Sequence, residues 1–174
     1  DYAFAAIKAD GSVVTWGDPR DGGDSSSVAD QLTQVQSISA TSSAFAAIKA
    51  DGSVVTWGYV DKGGDSSAVA DRLVDVQSIS ASYGAFSAIK LNDSVVTWGD
   101  ADDGADNSAV TDKLSSIQSI SATRHAFAAI KDDSSVVTWG GSRDGGDSSS
   151  VADQLTQVHS ISATNFAFAA IKMD

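Results

Sequence analysis

Hydrophobic and polar residues alternate along this chain in a pattern that returns every 41 residues. In the first copy, the apolar runs 4–7 and 13–16 flank the polar dipeptide Asp10-Gly11. Two short apolar runs joined by Asp-Gly are typical of a β-hairpin, and we expect a type I′ turn because glycine tolerates a positive φ. The equivalent turns are Asp51-Gly52, Asn92-Asp93 and Asp133-Ser134, of which the last two lack glycine.

The remainder of each copy predicts a loop, a short helix and a third strand. Residues 18–23 are polar and rich in glycine, which is typical of a loop. Asp24 and three serines then precede Val28 and Leu32, an apolar pair four residues apart that indicates a helix of two turns at most. The partly alternating, β-branched run 35–41 predicts the third strand.

A fixed period of this size predicts a tandem repeat. It divides the chain into the end of a preceding repeat (1–3), the repeats 4–44, 45–85, 86–126 and 127–167, and the start of a fifth repeat (168–174). Three strands cannot cover their own apolar faces, so we expect the β-rich units to stack as an open superhelical array, with a closed β-propeller as the alternative. The same strand recurs at 4–8 and 168–172, which favours the open array. Further copies of the repeat are therefore the expected partners, with self-association end to end.

Two aromatic columns keep the same period and predict the core that joins the units. Core packing is the expected role of the tryptophans, and an exposed platform for sugars is the alternative. The columns are Trp16, Trp57, Trp98 and Trp139, and Phe4, Phe45, Phe86, Phe127 and Phe168. All four tryptophans are expected to occupy equivalent buried sites.

The motif Val13-Val14-Thr15-Trp16-Gly17, with Asp10-Gly11 and Ala-Phe-Ala-Ala-Ile-Lys before it, resembles the repeats of the regulator of chromosome condensation family. That resemblance implies blades of a seven-bladed β-propeller, and guanine-nucleotide exchange activity in some members. The 41-residue period is shorter than that blade, and residues 22–26 replace the segment that the family carries after Trp-Gly. This short variant is similar to long repeat proteins of aquatic microorganisms that carry no assigned activity.

Composition excludes several classes of function. The net charge of −12 argues against nucleic acid or an anionic membrane surface as a partner, because both select clustered lysine and arginine. The chain has no cysteine, so disulfides and thiol chemistry are excluded. No apolar run approaches the length of a membrane span, so we expect no membrane insertion.

An aspartate precedes the predicted helix in every repeat, at Asp24, Asp65, Asp106 and Asp147. Helix capping is the expected role of this column, since a carboxylate there accepts hydrogen bonds from free amides. In the third repeat, Asp100, Asp102, Asp103 and Asp106 also resemble a calcium loop, although the spacing of an EF-hand is absent. They are the weak candidate for a metal site, and no other metal or cofactor is expected.

The sequence offers few other candidates for catalytic or modified residues. His125 and His159 have no counterparts in the other repeats, and a lone histidine is usually a surface or packing residue. No catalytic residue is therefore assigned, and we expect no enzymatic activity. Asn92-Asp93-Ser94 forms a sequon for N-glycosylation on a predicted turn, so Asn92 is a glycosylation candidate.

Columns that differ between repeats are predicted to lie on the surface, where repeat proteins make their contacts. Free drift of solvated residues is the competing interpretation. The candidate contact residues in these columns are Tyr59, Tyr83, Arg124, His125 and Phe166.

Near-identity between distant repeats suggests a function that uses one surface many times. Residues 21–41 match residues 144–164 except at Gln36 and His159. We therefore expect a non-enzymatic structural array from an extracellular or cell-surface filament, stalk or surface protein. A module that binds proteins or glycans is the alternative, and a guanine-nucleotide exchange factor is a second alternative that rests on family analogy alone.

Overall fold

The computed structural model describes residues 2–173, which fold into short β-strands joined by turns and brief 3₁₀ helices. The strands of the described chain are β1 (Ala3–Ile7), β2 (Val13–Gly17), β3 (Val35–Ala40), β4 (Ala44–Lys49), β5 (Val54–Gly58), β6 (Val76–Ala81), β7 (Ala85–Lys90), β8 (Val95–Gly99), β9 (Ile117–Ala122), β10 (Ala126–Lys131), β11 (Val136–Gly140), β12 (Val158–Ala163) and β13 (Phe168–Lys172). Three strands per repeat confirm the prediction for this part of the fold.

Each loop that follows a Trp-Gly strand contains two 3₁₀ helices. The longer one, predicted as a short helix, spans Ser26–Gln31, Ser67–Arg72, Ser108–Lys113 and Ser149–Gln154. A shorter one occupies part of the predicted loop, at Pro19–Asp21, Val60–Lys62, Ala101–Asp103 and Ser142–Asp144. No helix within residues 2–173 has the length and apolar character needed to cross a membrane.

The strands of residues 2–173 form five antiparallel sheets that are offset from the sequence repeat. Three sheets have the orders β3-β4-β5, β6-β7-β8 and β11-β10-β9, and the outer two are the pairs β1-β2 and β12-β13. The third strand of each repeat thus pairs with the first strand of the next, so every repeat contributes to two sheets. No strand between residues 2 and 173 pairs the first sheet with the last, which confirms the open array.

The hairpin turn differs from the predicted type I′ geometry. Gly11 N–H donates to the Lys8 carbonyl at 2.9 Å, so Ala9 and Asp10 are the central residues of the turn. Only Gly11, which follows them, has a positive φ, of 78°. This is a type I turn followed by one left-handed residue, whereas type I′ requires positive φ at both central positions. Asp93 and Ser134 take the left-handed position in later repeats, with φ of 59° and 63°.

The middle strand of each three-stranded sheet is buried on both faces. In β4, Ala46 and Ile48 share a core with Phe86 of the following sheet. Phe45, whose side chain points the opposite way, shares a core with Ala5 of the preceding sheet. Small side chains of β4, such as Ala46, thus share a core with a large ring of the neighbouring sheet, which lets the sheets pack closely.

A repeated contact fixes each loop against the following sheet. Phe45 and Trp57 are cross-strand partners whose rings stack at 5.2 Å between centroids and 18° between planes. Gly22, in the preceding loop, has a φ of 92°, and its carbonyl accepts a 3.0 Å hydrogen bond from Trp57 Nε1. A Cβ on Gly22 would lie 2.7 Å from Cδ2 of Phe45, so only glycine fits. We call this set the Phe–Gly–Trp contact.

The same contact recurs in the next two sheets. Trp98 donates to the Gly63 carbonyl and Trp139 to the Gly104 carbonyl, each at 3.1 Å. Trp57, Trp98 and Trp139 are 3%, 5% and 3% exposed, as the sequence predicts.

The prediction of burial is wrong for Trp16, which is 50% exposed. Its partner Phe4 is 56% exposed, although the two rings still stack at 5.4 Å. The physical reason is that burial comes from the loop of the preceding repeat, and no described residue covers this face of the first sheet. The aromatic pair is therefore local to each sheet, whereas its burial depends on a neighbour.

Polar bonds also link the first strands of successive three-stranded sheets. Ser39 Oγ donates to the Ile79 carbonyl at 2.8 Å, and Ser80 Oγ donates to the Ile120 carbonyl at 2.8 Å. Ser121 continues the series with a 3.2 Å bond to Ile161 of β12. Each of these bonds joins residues that are 40 apart in the sequence, and together they fix the order of the sheets along the array.

One buried hydroxyl yields a stability prediction. Ser87 is fully buried, its Oγ has no hydrogen-bond partner, and the equivalent residues 46 and 128 are alanine. Because an unpaired buried polar group is costly, we expect Ser87→Ala to raise the free energy of unfolding by about 1–2 kcal/mol. Urea unfolding measures this change, and no gain or a loss contradicts it. As a matched control, Ser80→Ala removes a formed hydrogen bond and is expected to lower stability by about 1 kcal/mol.

Candidate interaction surface

One of the variable columns runs along one side of the array, on the turns between the first and middle strands of successive sheets. Ser42 N–H donates to the Tyr83 carbonyl at 2.9 Å, Tyr83 N–H to Arg124 at 2.8 Å and Arg124 N–H to Asn165 at 2.9 Å. This backbone series aligns four successive turns. It places one variable side chain from each repeat in a row, so the surface is continuous although its residues are 41 apart in sequence.

A charged cluster lies beside this row. Lys62 Nζ is 2.7 Å from Asp100 Oδ2 and 2.8 Å from Asp103 Oδ2. His125 Nδ1 contacts the other carboxylate oxygen of Asp103. The Asp103 side chain is only 4% exposed, and each of its carboxylate oxygens has a partner, Lys62 Nζ for one and His125 Nδ1 for the other. We call Lys62, Asp100, Asp103 and His125 the charged cluster.

Tyr83 joins the row of turns to the charged cluster. The Arg124 guanidinium lies 4.4 Å from the centre of its ring and Lys62 Nζ lies 5.3 Å from it. Cations over an aromatic face are attracted by the ring quadrupole. The His125 ring is also near, at 6.0 Å between centroids. The tyrosine is 40% exposed, so the assembly is accessible at the surface.

The ion pair between Lys62 and Asp100 shifts the pKa values of these two groups in opposite directions. The hydrogen bond from Lys62 is the largest cause that lowers the pKa of Asp100 below its ordinary value. Burial lowers the pKa of Lys62, but the hydrogen bonds to Asp100 and Asp103 outweigh it and raise that pKa overall. Both groups are therefore more firmly charged in the folded chain than in water.

The structure brings together three of the five predicted contact residues, Tyr83, Arg124 and His125. Phe166 lies on the next turn, where it is 55% exposed and lines a cavity beside the last sheet. Tyr59 lies on the loop after β5 and is 47% exposed. The predicted set is thus one cluster and two separate side chains.

Lys62 and Asp103 were missed as partners by the sequence analysis. They occupy the same column in successive repeats, 41 residues apart. Stacking places such positions next to each other, in the way that opposite residues meet across paired strands. Opposite charges in one column of adjacent repeats are therefore the signal that predicts this pair.

The structure brings together only two of the four calcium candidates, Asp100 and Asp103. Asp100 and Asp103 bind Lys62, Asp106 accepts a hydrogen bond from Ser108 N–H at 2.9 Å, and Asp102 is exposed. Between residues 2 and 173, no group of three or more carboxylate or histidine side chains is placed to hold a metal ion. The cation in this loop is the ammonium of Lys62.

The aspartates that were predicted to cap the helix lie one residue before the cap position. Asp24 Oδ1 accepts from Ser26 N–H at 2.9 Å, and the same bond forms at Asp65, Asp106 and Asp147. Ser25, the residue at the cap position, makes no such side-chain bond. The bond lowers the pKa of Asp24, because it stabilises the carboxylate.

Two further candidates lie at the surface. Asn92 is exposed on the hairpin turn, and its Oδ1 accepts from Ser94 Oγ at 2.6 Å. His159 lies exposed on β12. Glycosylation of Asn92 stays a prediction.

Comparison with known proteins gives information on the fold of the chain and not on its function. No family model and no curated protein matches the sequence. Among solved structures, the chain is similar to the CRINKLY WD40 ectodomain of the receptor kinase ACR4 from Arabidopsis thaliana, at 20% identity and a TM-score of 0.56, covering 100% of this chain and 57% of that one. It is also similar to human WBSCR16, at 14% identity and a TM-score of 0.60, covering 80% and 45%.

A third similar structure is Prp20p from Saccharomyces cerevisiae, at 13% identity and a TM-score of 0.54, covering 79% of this chain and 43% of that one. The chain thus spans about half the length of these three proteins. The likeness confirms a propeller-type repeat fold. The closer resemblance to 41-residue repeats of aquatic microorganisms stays a prediction.

The charged cluster predicts how stability responds to acid. Since the pKa of Asp100 is lowered on folding, its contribution is present above the unfolded value of about 3.9 and is lost as the pH falls through the folded pKa. We expect Asp100→Asn to lower the melting temperature at pH 7 by about 2–4 °C, the shift that ~1 kcal/mol gives at this size. The difference from the native chain should shrink between about pH 5 and pH 2.

Thermal unfolding followed by circular dichroism across this pH range measures the effect. Asp102→Asn is the matched control, because Asp102 is exposed and lies two residues away. A decrease in melting temperature that is the same at every pH contradicts the assignment of this stability to the Asp100–Lys62 pair. An equal decrease in the control variant contradicts it as well.

Proposed function

We propose that this chain is a non-enzymatic structural repeat array, a segment of an extracellular filament, stalk or surface protein. The observation that carries this proposal is the threefold recurrence of one contact between a loop and the next sheet. An interface that repeats along an axis without closing builds a structure of any length.

The exposed aromatic side chains of the first sheet also support the proposal. Phe4 and Trp16 present the surface that is covered at each of the three later tryptophans, yet about half of each side chain is exposed. Large exposed aromatic side chains next to one another mark an interaction site. Because the covering loop inside the chain belongs to another repeat, the partner that fits this face is a further copy of the repeat.

Sedimentation and negative-stain electron microscopy of residues 1–174 test the proposal. We expect head-to-tail multimers, and we expect their amount to rise with salt because salt screens the repulsion between chains of net charge −12. A monomer that is insensitive to salt and concentration overturns the proposal.

The aromatic face of the first sheet predicts which substitution prevents association. Trp16→Ala is expected to weaken self-association about tenfold or more, since a buried interface tryptophan typically contributes at least ~1.4 kcal/mol. Tyr59→Ala is the matched control, because Tyr59 is 47% exposed, close to the 50% of Trp16, but lies outside the stacking faces. Sedimentation equilibrium of both variants measures the change. If both variants weaken self-association equally, the contact between copies does not involve Trp16.

A second candidate function is binding of a protein or a glycan at the row of variable turns. The observation that favours it is the accessible Tyr83 ring with Arg124 over its face, because aromatic rings and arginine are enriched at recognition sites. A glycan array tests the glycan form of this candidate. Binding that Tyr83→Ala abolishes and Tyr59→Ala retains supports it, and the same binding in both variants contradicts it.

A further inference from the structure

The charged cluster lies where the second and third repeats depart from the others. Lys62 is the one basic residue in its column of the repeats, and Gly84 is the one glycine in its own column. A Cβ on Gly84 would lie 2.2 Å from Asp103 Oδ2 and 2.4 Å from Lys62 Cδ, so the Lys62–Asp103 pair leaves no room for a side chain there. Departures in two columns thus fit each other in space. Independent drift of solvated residues does not account for such a fit, which favours a functional surface.

Arg124 is held in a fixed place beside this cluster. Tyr83 N–H donates to the Arg124 carbonyl at 2.8 Å, and Arg124 N–H donates to the Asn165 carbonyl at 2.9 Å, so a neighbouring turn fixes its backbone on each side. The guanidinium lies 4.4 Å from the centre of the Tyr83 ring. Within residues 2–173, it forms no hydrogen bond and has no carboxylate at ion-pair distance. Its N–H donors are therefore available to a ligand.

The carboxylates of the charged cluster do not compete for these donors. Lys62 Nζ binds both Asp100 and Asp103, and His125 Nδ1 binds the other oxygen of Asp103. Lys62 Nζ also lies over the Tyr83 ring, at 5.3 Å from its centre. Because two cations lie over this ring, it orients the guanidinium rather than serving as a platform on which a sugar stacks.

An open cavity of about 550 Å³ lies beside Arg124, within the range of small-ligand sites, about 300–1,000 Å³. Its lining contains two alanines and no large aliphatic side chain, so it lacks the apolar centre of a protein interface. Its hydroxyl, amide and guanidinium groups instead match the hydroxyls and carboxylates of a sugar. The polar lining residues are Ser82, Tyr83, Thr123, Arg124, Thr164 and Asn165.

We propose that this cavity binds an acidic glycan and that Arg124 donates a pair of hydrogen bonds to the carboxylate of a uronic acid unit. A guanidinium and a carboxylate match each other in shape and charge, and together they form two parallel bonds. The inference rests on the second candidate function and names its ligand. Since the chain has a net charge of −12, a glycan with few carboxylates fits better than a densely charged one.

Calorimetric titration of residues 1–174 with a matched pair of glycans tests the inference. The first ligand is a tetrasaccharide of neutral sugars that carries a single glucuronic acid. The second is the same tetrasaccharide with its carboxyl group reduced to an alcohol. We expect the acidic form to bind about tenfold more tightly, as a charge-assisted hydrogen bond provides. Equal affinity for both forms overturns the inference and leaves glycan binding standing.

Substitution of Arg124 tests the assigned residue. Arg124→Ala is expected to remove the tenfold preference, and Arg124→Lys to restore only part of it, because lysine keeps the charge without the paired donors. Arg143→Ala is the matched control, since it removes the same charge from an exposed position on another loop. The hydrogen bonds that hold the Arg124 turn are made by the backbone, so the variants should fold, and circular dichroism verifies this.

The remaining outcomes separate the possible failures. An equal loss of preference in Arg143→Ala overturns the site, because the preference then reflects the overall charge of the chain. A peptide with a single glutamate that binds as tightly as the acidic tetrasaccharide overturns the assignment to a glycan. If neither tetrasaccharide binds, both the inference and the glycan form of the second candidate function are wrong.

Discussion

The structure depends on the contact between a left-handed glycine and the stacked Phe–Trp pair of the next sheet. A single sheet of three short strands cannot cover its own apolar faces, so it depends on packing against its neighbours. Gly63 brings its loop against the ring of Phe86 and accepts the indole hydrogen of Trp98 at 3.1 Å. One residue without a side chain thereby lets a loop close over two aromatic rings and satisfies the only polar atom of the tryptophan.

This dependence on a neighbour explains both the order and the openness of the array. Each sheet is covered by a loop that leaves the preceding sheet, so structure extends in one direction along the chain. Trp16 shows the consequence, because it has the same strand, register and stacking partner as Trp57 and yet is half exposed. The sequence of a repeat therefore determines which contacts each residue can make. Whether the residue is buried depends on the position of its repeat in the array.

Much of the fold follows from the period of the sequence, and much of the surface does not. Strands, short helix and stacking are predictable because Phe45 and Trp57 recur with an invariant spacing. The predicted turn type was wrong because Asp10-Gly11 fits both a type I′ turn and a type I turn followed by a left-handed residue. The hydrogen bond from Gly11 N–H to the Lys8 carbonyl selects the second geometry. The Lys62–Asp103 pair was missed because it depends on which columns meet across repeats, which a single repeat does not reveal.

The most direct measurement compares Trp98→Ala with Trp16→Ala by denaturant unfolding, at a concentration where both variants are monomeric. The two residues share strand position, sequence context and an aromatic partner, and differ in whether a preceding loop covers them. If the covered contact holds the array together, Trp98→Ala lowers the free energy of unfolding by about 3–5 kcal/mol, whereas Trp16→Ala lowers it by less than about 1 kcal/mol. Equal losses would show that stacking within each sheet, rather than contact with the preceding loop, stabilises the structure.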